Sequence, residues 1–263
     1  MISASSLALQ NVGYRIGSHQ ILSDLSLAAT QGRFLAIVGP NGCGKSTSLR
    51  MMAGLIKPAA GQVVLDGQPL AQFTRKALSR QVALLTQSGQ VPGNLSVREL
   101  VGMGRFAHQT VLSRASAQDD AAIEAALVAM DVQDLADRPA AALSGGQLQR
   151  CRMAMTLAQD TGVLLLDEPT TYLDLRFQYG ILDKARALAR AGRTVVAVLH
   201  DFTQASLYAD EVAVLSQGRL VAQGAPAAVL DERLVAEVFG VRTQAVHAHG
   251  AVFHVPRSAM RLD

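Results

Sequence analysis

The sequence predicts an α/β fold built on a parallel sheet and interrupted by a helical segment, and three observations predict it. Phe34 to Val38 is a short apolar run suited to a buried parallel strand; it runs into GPNGCGKST, Gly39 to Thr47, after which Leu49, Met52, Ala53 and Ile56 recur as on one face of a helix. From Val163 to Leu199 strand and helix patterns alternate again. Between Gln87 and about Thr161 strand signals give way to helical ones.

Taken in order, Leu7 to Val12 alternates like an edge strand and leads to Tyr14, and Leu25 to Ala28 is strand-like before Gly32. Gly54 and Pro58 stop the helix after the loop, and Gln62 to Leu65 reads as a strand ending at the Asp66-Gly67 turn. Val82 to Thr86 is a further strand that delivers Gln87. Ser96 and Glu99 form a capping box at a helix start, and Ile123, Ala126, Leu127 and Met130 stripe another helix. Strand Val163 to Leu166, a helix around Ile181, Leu182, Ala185 and Leu188, and strand Val195 to Leu199 follow. Val212 to Leu215 and Leu220 to Ala222 flank a turn at Ser216 to Arg219, Pro226 and Asp231 open short helices, and the tail after Gly240 carries no clear pattern. His247, His249 and His254 in that tail are expected to be solvated, since no cysteines or carboxylates join them.

Gly39 to Thr47 satisfies GxxxxGK[ST], with Pro40, Asn41 and Cys43 among its variable positions. Gly39, Gly42 and Gly44 allow the backbone to turn its N–H groups toward phosphate oxygens, and the helix that follows adds its own unpaired N–H groups and dipole. Lys45 brings a mobile charge to the β and γ phosphates, and the Ser46 hydroxyl suits Mg²⁺. A chance match of the four fixed positions in a chain of this size arises about once in a hundred. Cys43, among those N–H groups and beside Lys45, is expected to have a lowered pKa and a reactive thiolate.

The 263 residues suffice for one large domain. A net charge of +3 without a basic run, and 4% aromatics without Trp, give no sign of a nucleic-acid surface. Although 49% of residues are apolar, the longest apolar runs fall far short of the ~18 to 20 residues that span a bilayer. The start MISASSLALQ has no basic, continuously apolar leader, so the cytosol is expected. Cys43 and Cys151 are not expected to pair, and Cys151 fits a small core position.

A second constellation is VLLLDEPT, Val163 to Thr170, which ends a buried strand in two acids where such sheets place their ligands. Asp167 can join a Mg²⁺ shell and Glu168 can polarise a water for attack on the γ phosphate. LSGGQ, Leu143 to Gln147, opens a helix with Ser144, Gly145 and Gly146, a second anion-binding N-terminus in one chain. One γ phosphate hardly needs both.

With these motifs in this order, the chain resembles the ATP-binding cassette subunits of ABC transporters over essentially its whole length. The resemblance implies a P-loop NTPase of ABC type, with a mixed sheet core, an N-terminal antiparallel part and an inserted helical subdomain. It implies one domain over 1–263, with a core of about 1–86 and 162–240, helices at about 87–161 and a tail from about 241. Tyr14 matches the aromatic that stacks on adenine, Gln87 the glutamine that touches Mg²⁺ and the membrane partner, and Leu143 to Gln147, with Ser144, Gly145, Gly146 and Gln147, the signature. Asp167 and Glu168 match the Walker B pair, Leu173 and Asp174 the D-loop, and His200 the switch histidine. Two departures, Ser48 after the loop and Tyr172 in the D-loop, remove no ligand. The family pairs two cassettes head to tail, each signature facing the γ phosphate held by the other subunit, which explains the spare cradle.

A DNA-repair ABC ATPase would carry a long coiled-coil insertion, a translation member two cassettes with a basic linker, and a kinase or GTPase has no use for LSGGQ. The expectation is therefore an ATP hydrolase using ATP and Mg²⁺, with transmembrane permeases and, indirectly, a substrate-binding protein as partners. It would sit on the cytoplasmic face of the inner membrane and not act on nucleic acid. LDEPTTYLD, Leu166 to Asp174, and VLHDFTQASLYAD, Val198 to Asp210, resemble the subfamily importing ferric siderophores, haem and cobalamin, with a ferric siderophore the first choice.

Overall fold

The computed structural model describes residues 6–86, 95–109, 116–248 and 250–259. The chain opens with β1 (Leu7–Ile16), β2 (His19–Ala29) and β3 (Phe34–Val38), followed by α1 (Lys45–Met52), β4 (Ala60–Leu65), β5 (Gln68–Pro69), α2 (Arg75–Ser79) and β6 (Val82–Leu85). Among the described residues the segment up to the next strand is then helical: α3 (Val97–Gly102), α4 (Ala117–Ala129) and α5 (Gly145–Ala158), with short 3₁₀ turns. Alternation resumes with β7 (Val163–Asp167), α6 (Leu175–Arg190), β8 (Thr194–Val198), α7 (Phe202–Tyr208), β9 (Glu211–Ser216) and β10 (Arg219–Gly224). The C-terminal part holds α8 (Pro226–Val229), α9 (Glu232–Phe239), β11 (Val241–Ala248) and β12 (Ala251–Ala259).

Two sheets position the site. The larger has strand order β10-β9-β3-β8-β7-β6, parallel except for β10; the other, β2-β1-β4-β5, is antiparallel. Strands β3, β7 and β8 are buried throughout, as their unbroken apolar runs demand of a sheet covered on both faces. Alternation along β3 divides the core in two. Leu35 and Ile37 face α1 and the antiparallel sheet, whereas Phe34, Ala36 and Val38 face the side packed by α3 to α7.

Several sequence expectations need correction at their edges. β1 and β2 are longer than their apolar runs and join as a hairpin at Gly17 and Ser18; Gly17 has a positive φ, which the run-based reading missed. The helix after the loop ends at Met52, because Gly54 adopts φ +70 and the Ala53 N–H closes onto Leu49 O; Ile56 lies beyond it. The Ser96–Glu99 capping box is present, and Ser116 with Asp119 forms another at the start of α4. The tail is an antiparallel hairpin packed on α7, with the Val252 N–H donating to Ser206 Oγ at 2.7 Å. His254 is therefore not a solvated surface residue. Its ring is half-buried, 3.0 Å from Thr243 Oγ1 and 3.1 Å from Leu230 O, and burial lowers its pKa. His247 is exposed, and His249 lies outside the described residues.

Candidate active site

The loop sits where β3 meets α1, and two of its glycines, Gly39 and Gly44, are forced by close approach. A Cβ on Gly39 would stand 2.2 Å from Leu215 O and 2.7 Å from Cys43 Sγ, and one on Gly44, at φ +102, would stand 2.5 Å from Leu22 Cδ2. α1 has no acidic residue in its first turn, so nothing of its own neutralises the positive end. Asn41, Gly42 and the run Gly44 to Thr47 line a cavity of about 270 Å³, with Ile21 and Glu168 at its sides. Lys45 is buried, and its Nζ donates to Gly39 O at 2.8 Å and Pro40 O at 2.9 Å. Phosphate oxygens would compete for the same ammonium.

Strand β7, two places from β3 in the sheet, brings the acids to the loop. Ser46 Oγ donates to Asp167 Oδ1 at 2.8 Å. Asp167 is 1% exposed, and burial pushes its pKa up against the Ser46 hydrogen bond. Two hard oxygen donors, one a buried carboxylate that a cation would relieve of its desolvation cost, fit Mg²⁺. Glu168 follows in the left-handed region at φ +52, and the His200 Nε2–H, beyond the end of β8, donates to Glu168 Oε1 at 2.7 Å. Thr171, which the sequence reading passed over, donates to Glu168 Oε2 at 3.3 Å.

The signature is built as a helix cap and lies outside the lining of this cavity. Ser144 Oγ accepts from the Gln147 N–H at 3.3 Å, and Gln147 Oε1 accepts from the Ser144 N–H at 3.0 Å. Ser144 and Gly145 are exposed, and no signature residue lines the loop cavity. The signature packs instead on the turn before α6: a Cβ on Gly146 would lie 3.4 Å from Leu173 Cδ2. Asp174 caps α6 through the Phe177 N–H at 3.1 Å, away from the loop cavity. Tyr14 pairs with Leu22 across the β1–β2 hairpin, half-buried on the core under the loop; Ile21, not Tyr14, lines the cavity. Gln87 lies outside the described residues.

The expectation for Cys43 is overturned. The residue is 5% exposed and packed into the core beneath the loop, and burial raises its thiol pKa more than the charge of Lys45 lowers it. Its backbone N–H donates to Pro40 O at 3.4 Å and its carbonyl accepts from the Gly218 N–H at 3.2 Å. Cys151 is fully buried, as expected, with its pKa pushed up to about 11.

Comparison with known proteins agrees with this geometry. A family profile described as ABC transporter matches residues 22–171. The ferric enterobactin transport ATP-binding protein FepC of Escherichia coli strain K12 is 42% identical over 232 residues, 88% of this chain and 85% of its own. The petrobactin import ATP-binding protein FpuD of Bacillus anthracis is 44% identical over 229 residues, 87% and 84% of the two chains, and the hemin import ATP-binding protein HmuV of Nocardia farcinica is 43% identical over 238, 90% and 82%. Among solved structures, an ABC transporter described as of metal-chelate type, in an inward-facing conformation, superposes with a TM-score of 0.82 at 26% identity over 97% of this chain and 98% of that one. The dimeric structure of MJ0796, a bacterial ABC transporter cassette, gives 0.75 at 26% identity over 84% and 98%. With the profile spanning more than half of its residues and these relatives most of its length, the chain belongs to the ABC transporter family, among its ATP-binding proteins.

Proposed function

We propose that this chain is the ATP-hydrolysing subunit of a bacterial importer that takes up a ferric siderophore through a separate permease. The observation that carries the catalytic part is the convergence of Ser46 with Asp167 and of Glu168 with His200 at one cavity. The Gly39–Thr47 loop cradles the phosphates, and Lys45 exchanges its loop carbonyls for β and γ oxygens. Ser46, Asp167 and Gln87 would hold Mg²⁺, which when bound would supply positive charge against the phosphates. Glu168 takes the proton of the attacking water, and His200 orients that carboxylate. Tyr14 stacks on adenine. The division into a core of about 1–86 and 162–240, helices at about 87–161 and a tail from 241 is read in the same way.

Ser144 to Gln147, outside the loop cavity with Ser144 and Gly145 exposed, and Asp174 beside them serve the site of a second copy in a head-to-tail dimer. Among the described residues no helix is long and apolar enough to cross a membrane, so the permease supplies the pathway at the cytoplasmic face and a binding protein supplies the cargo. Relatives that are 42% to 44% identical carry enterobactin, achromobactin and petrobactin in their names, which supports a siderophore. Hemin importers at 41% to 43% identity make haem the second choice, ahead of cobalamin.

Uptake of labelled cargo in a strain deleted for this chain tests the reading. Loss of ferric siderophore uptake that the wild-type chain restores and Lys45→Ala does not is the expected result. Normal siderophore uptake with lost haem or cobalamin uptake would transfer the assignment.

A further inference from the structure

We infer that Gln204 and Gln178 form a positioning relay that ties the turn carrying Glu168 to the helix that follows His200. This rests on the roles proposed above for Glu168 and His200. Gln204, on α7, is 4% exposed, and both ends of its amide are engaged: Oε1 accepts from Thr170 Oγ1 at 3.2 Å, and Nε2 donates to Gln178 Oε1 at 2.9 Å. Gln178, on α6, donates in turn to Leu173 O at 2.8 Å. Chemistry dictates the direction of the chain. The Leu173 carbonyl can only accept, so Gln178 must present its NH₂ there and its oxygen to Gln204, which leaves the Gln204 oxygen for the Thr170 hydroxyl.

Both ends of the chain grip the same short turn, between Glu168 and Asp174. That turn holds two non-glycine residues in the left-handed region, Glu168 at φ +52 and Tyr172 at φ +65, a conformation that persists only where its surroundings enforce it. The relay is a contact that holds this turn to α6 and α7. It also reaches His200, since Asp201 next to it caps α7 by accepting from the Thr203 N–H at 2.7 Å and the Gln204 N–H at 3.4 Å. Breaking the relay would let the turn relax and Glu168 drift from the His200 Nε2 that holds it. Nucleotide affinity, set by the Gly39–Thr47 loop, would be untouched.

The test uses the full chain. Gln204→Leu and Thr170→Val should each lower kcat by ~10-fold or more, the scale of a small misplacement of a reacting group, with KM and ATP affinity within about twofold of wild type. Gln178→Leu combined with Gln204→Leu should be no worse than the poorer single variant, because one chain is broken once. Thr170→Ser, which keeps the hydroxyl, should recover most of the turnover lost in Thr170→Val. Wild-type kcat in Thr170→Val, or a loss of kcat matched by equal losses of ATP affinity and Tm, would overturn the relay. Glu168→Gln in the same assay separates the two readings. If it is inactive while Thr170→Val turns over normally, the relay alone falls; if it is fully active, the role of Glu168 falls and the relay with it.

Discussion

His200 Nε2 stands 2.7 Å from Glu168 Oε1, although the two residues come from the ends of different strands, β8 and β7. The parallel register between these strands sets the meeting: Asp167 pairs with Val198, so the residues that follow each strand emerge side by side. The imidazole thereby fixes the direction of the Glu168 carboxylate.

Replacing that carboxylate should separate binding from chemistry. Glu168→Gln keeps the shape and is expected to bind ATP like wild type while hydrolysing it ~10² to 10⁴ times more slowly. ATP-dependent dimers should then accumulate, visible by size-exclusion chromatography. Hydrolysis at the wild-type rate would remove Glu168 from the role of base.

The outward signature makes a prediction about mixtures. Ser144→Arg should abolish turnover while leaving nucleotide affinity of the single chain intact, and Lys45→Ala should abolish turnover by losing the phosphate contact. Mixed, the two can form a dimer with both defects in one site and the other site whole. Recovery of ATP-driven dimerisation above either variant alone is expected, and its absence would count against head-to-tail pairing.

Burial of Cys43 changes what a thiol reagent should do. With Cys43 5% exposed and its thiol pKa raised, maleimide at neutral pH is expected to label the native chain at this site ~10² times more slowly than the urea-unfolded chain. Mass spectrometry of the loop peptide measures both rates. Rapid native labelling blocked by ATP would restore the reactive thiolate expected from sequence.

Arg105 and Asp119 form a buried ion pair, 2.8 Å apart with side chains 5% and 8% exposed, and Arg105 also donates to Ala158 O. Asp119→Ala leaves that cation uncompensated and should cost about 3 kcal/mol in urea unfolding. The pH dependence follows from the carboxyl, which the Arg105 hydrogen bond lowers from 3.8 to about 2. Because the folded-state pKa is the lower one, the stabilisation is complete above about pH 4 and is lost as the pH falls through 2. The wild-type chain should lose stability more steeply than Asp119→Ala over that window; parallel curves would mean the pair is not coupled to folding.

The motifs were legible because they are local. Gly39 to Thr47 must close on itself around an anion, Val163 to Asp167 is one buried strand with an acid at its tip, and Ser144 with Gln147 is a cap complete within four residues. From these, their order and their spacing, the α/β fold and the family follow. Other features depend on groups distant in the chain. The burial that inverts the expectation for Cys43 comes from the packed core beneath the loop, and the half-buried state of His254 from Thr243 and Leu230. The relay from Thr170 through Gln204 and Gln178 to Leu173 joins two helices to one turn, and its members are distant in the chain. Sequence by itself thus determined the fold class and the family. Tertiary structure alone decided which groups are desolvated or held in place, because desolvation and hydrogen-bond partnership arise from neighbours that only folding brings together.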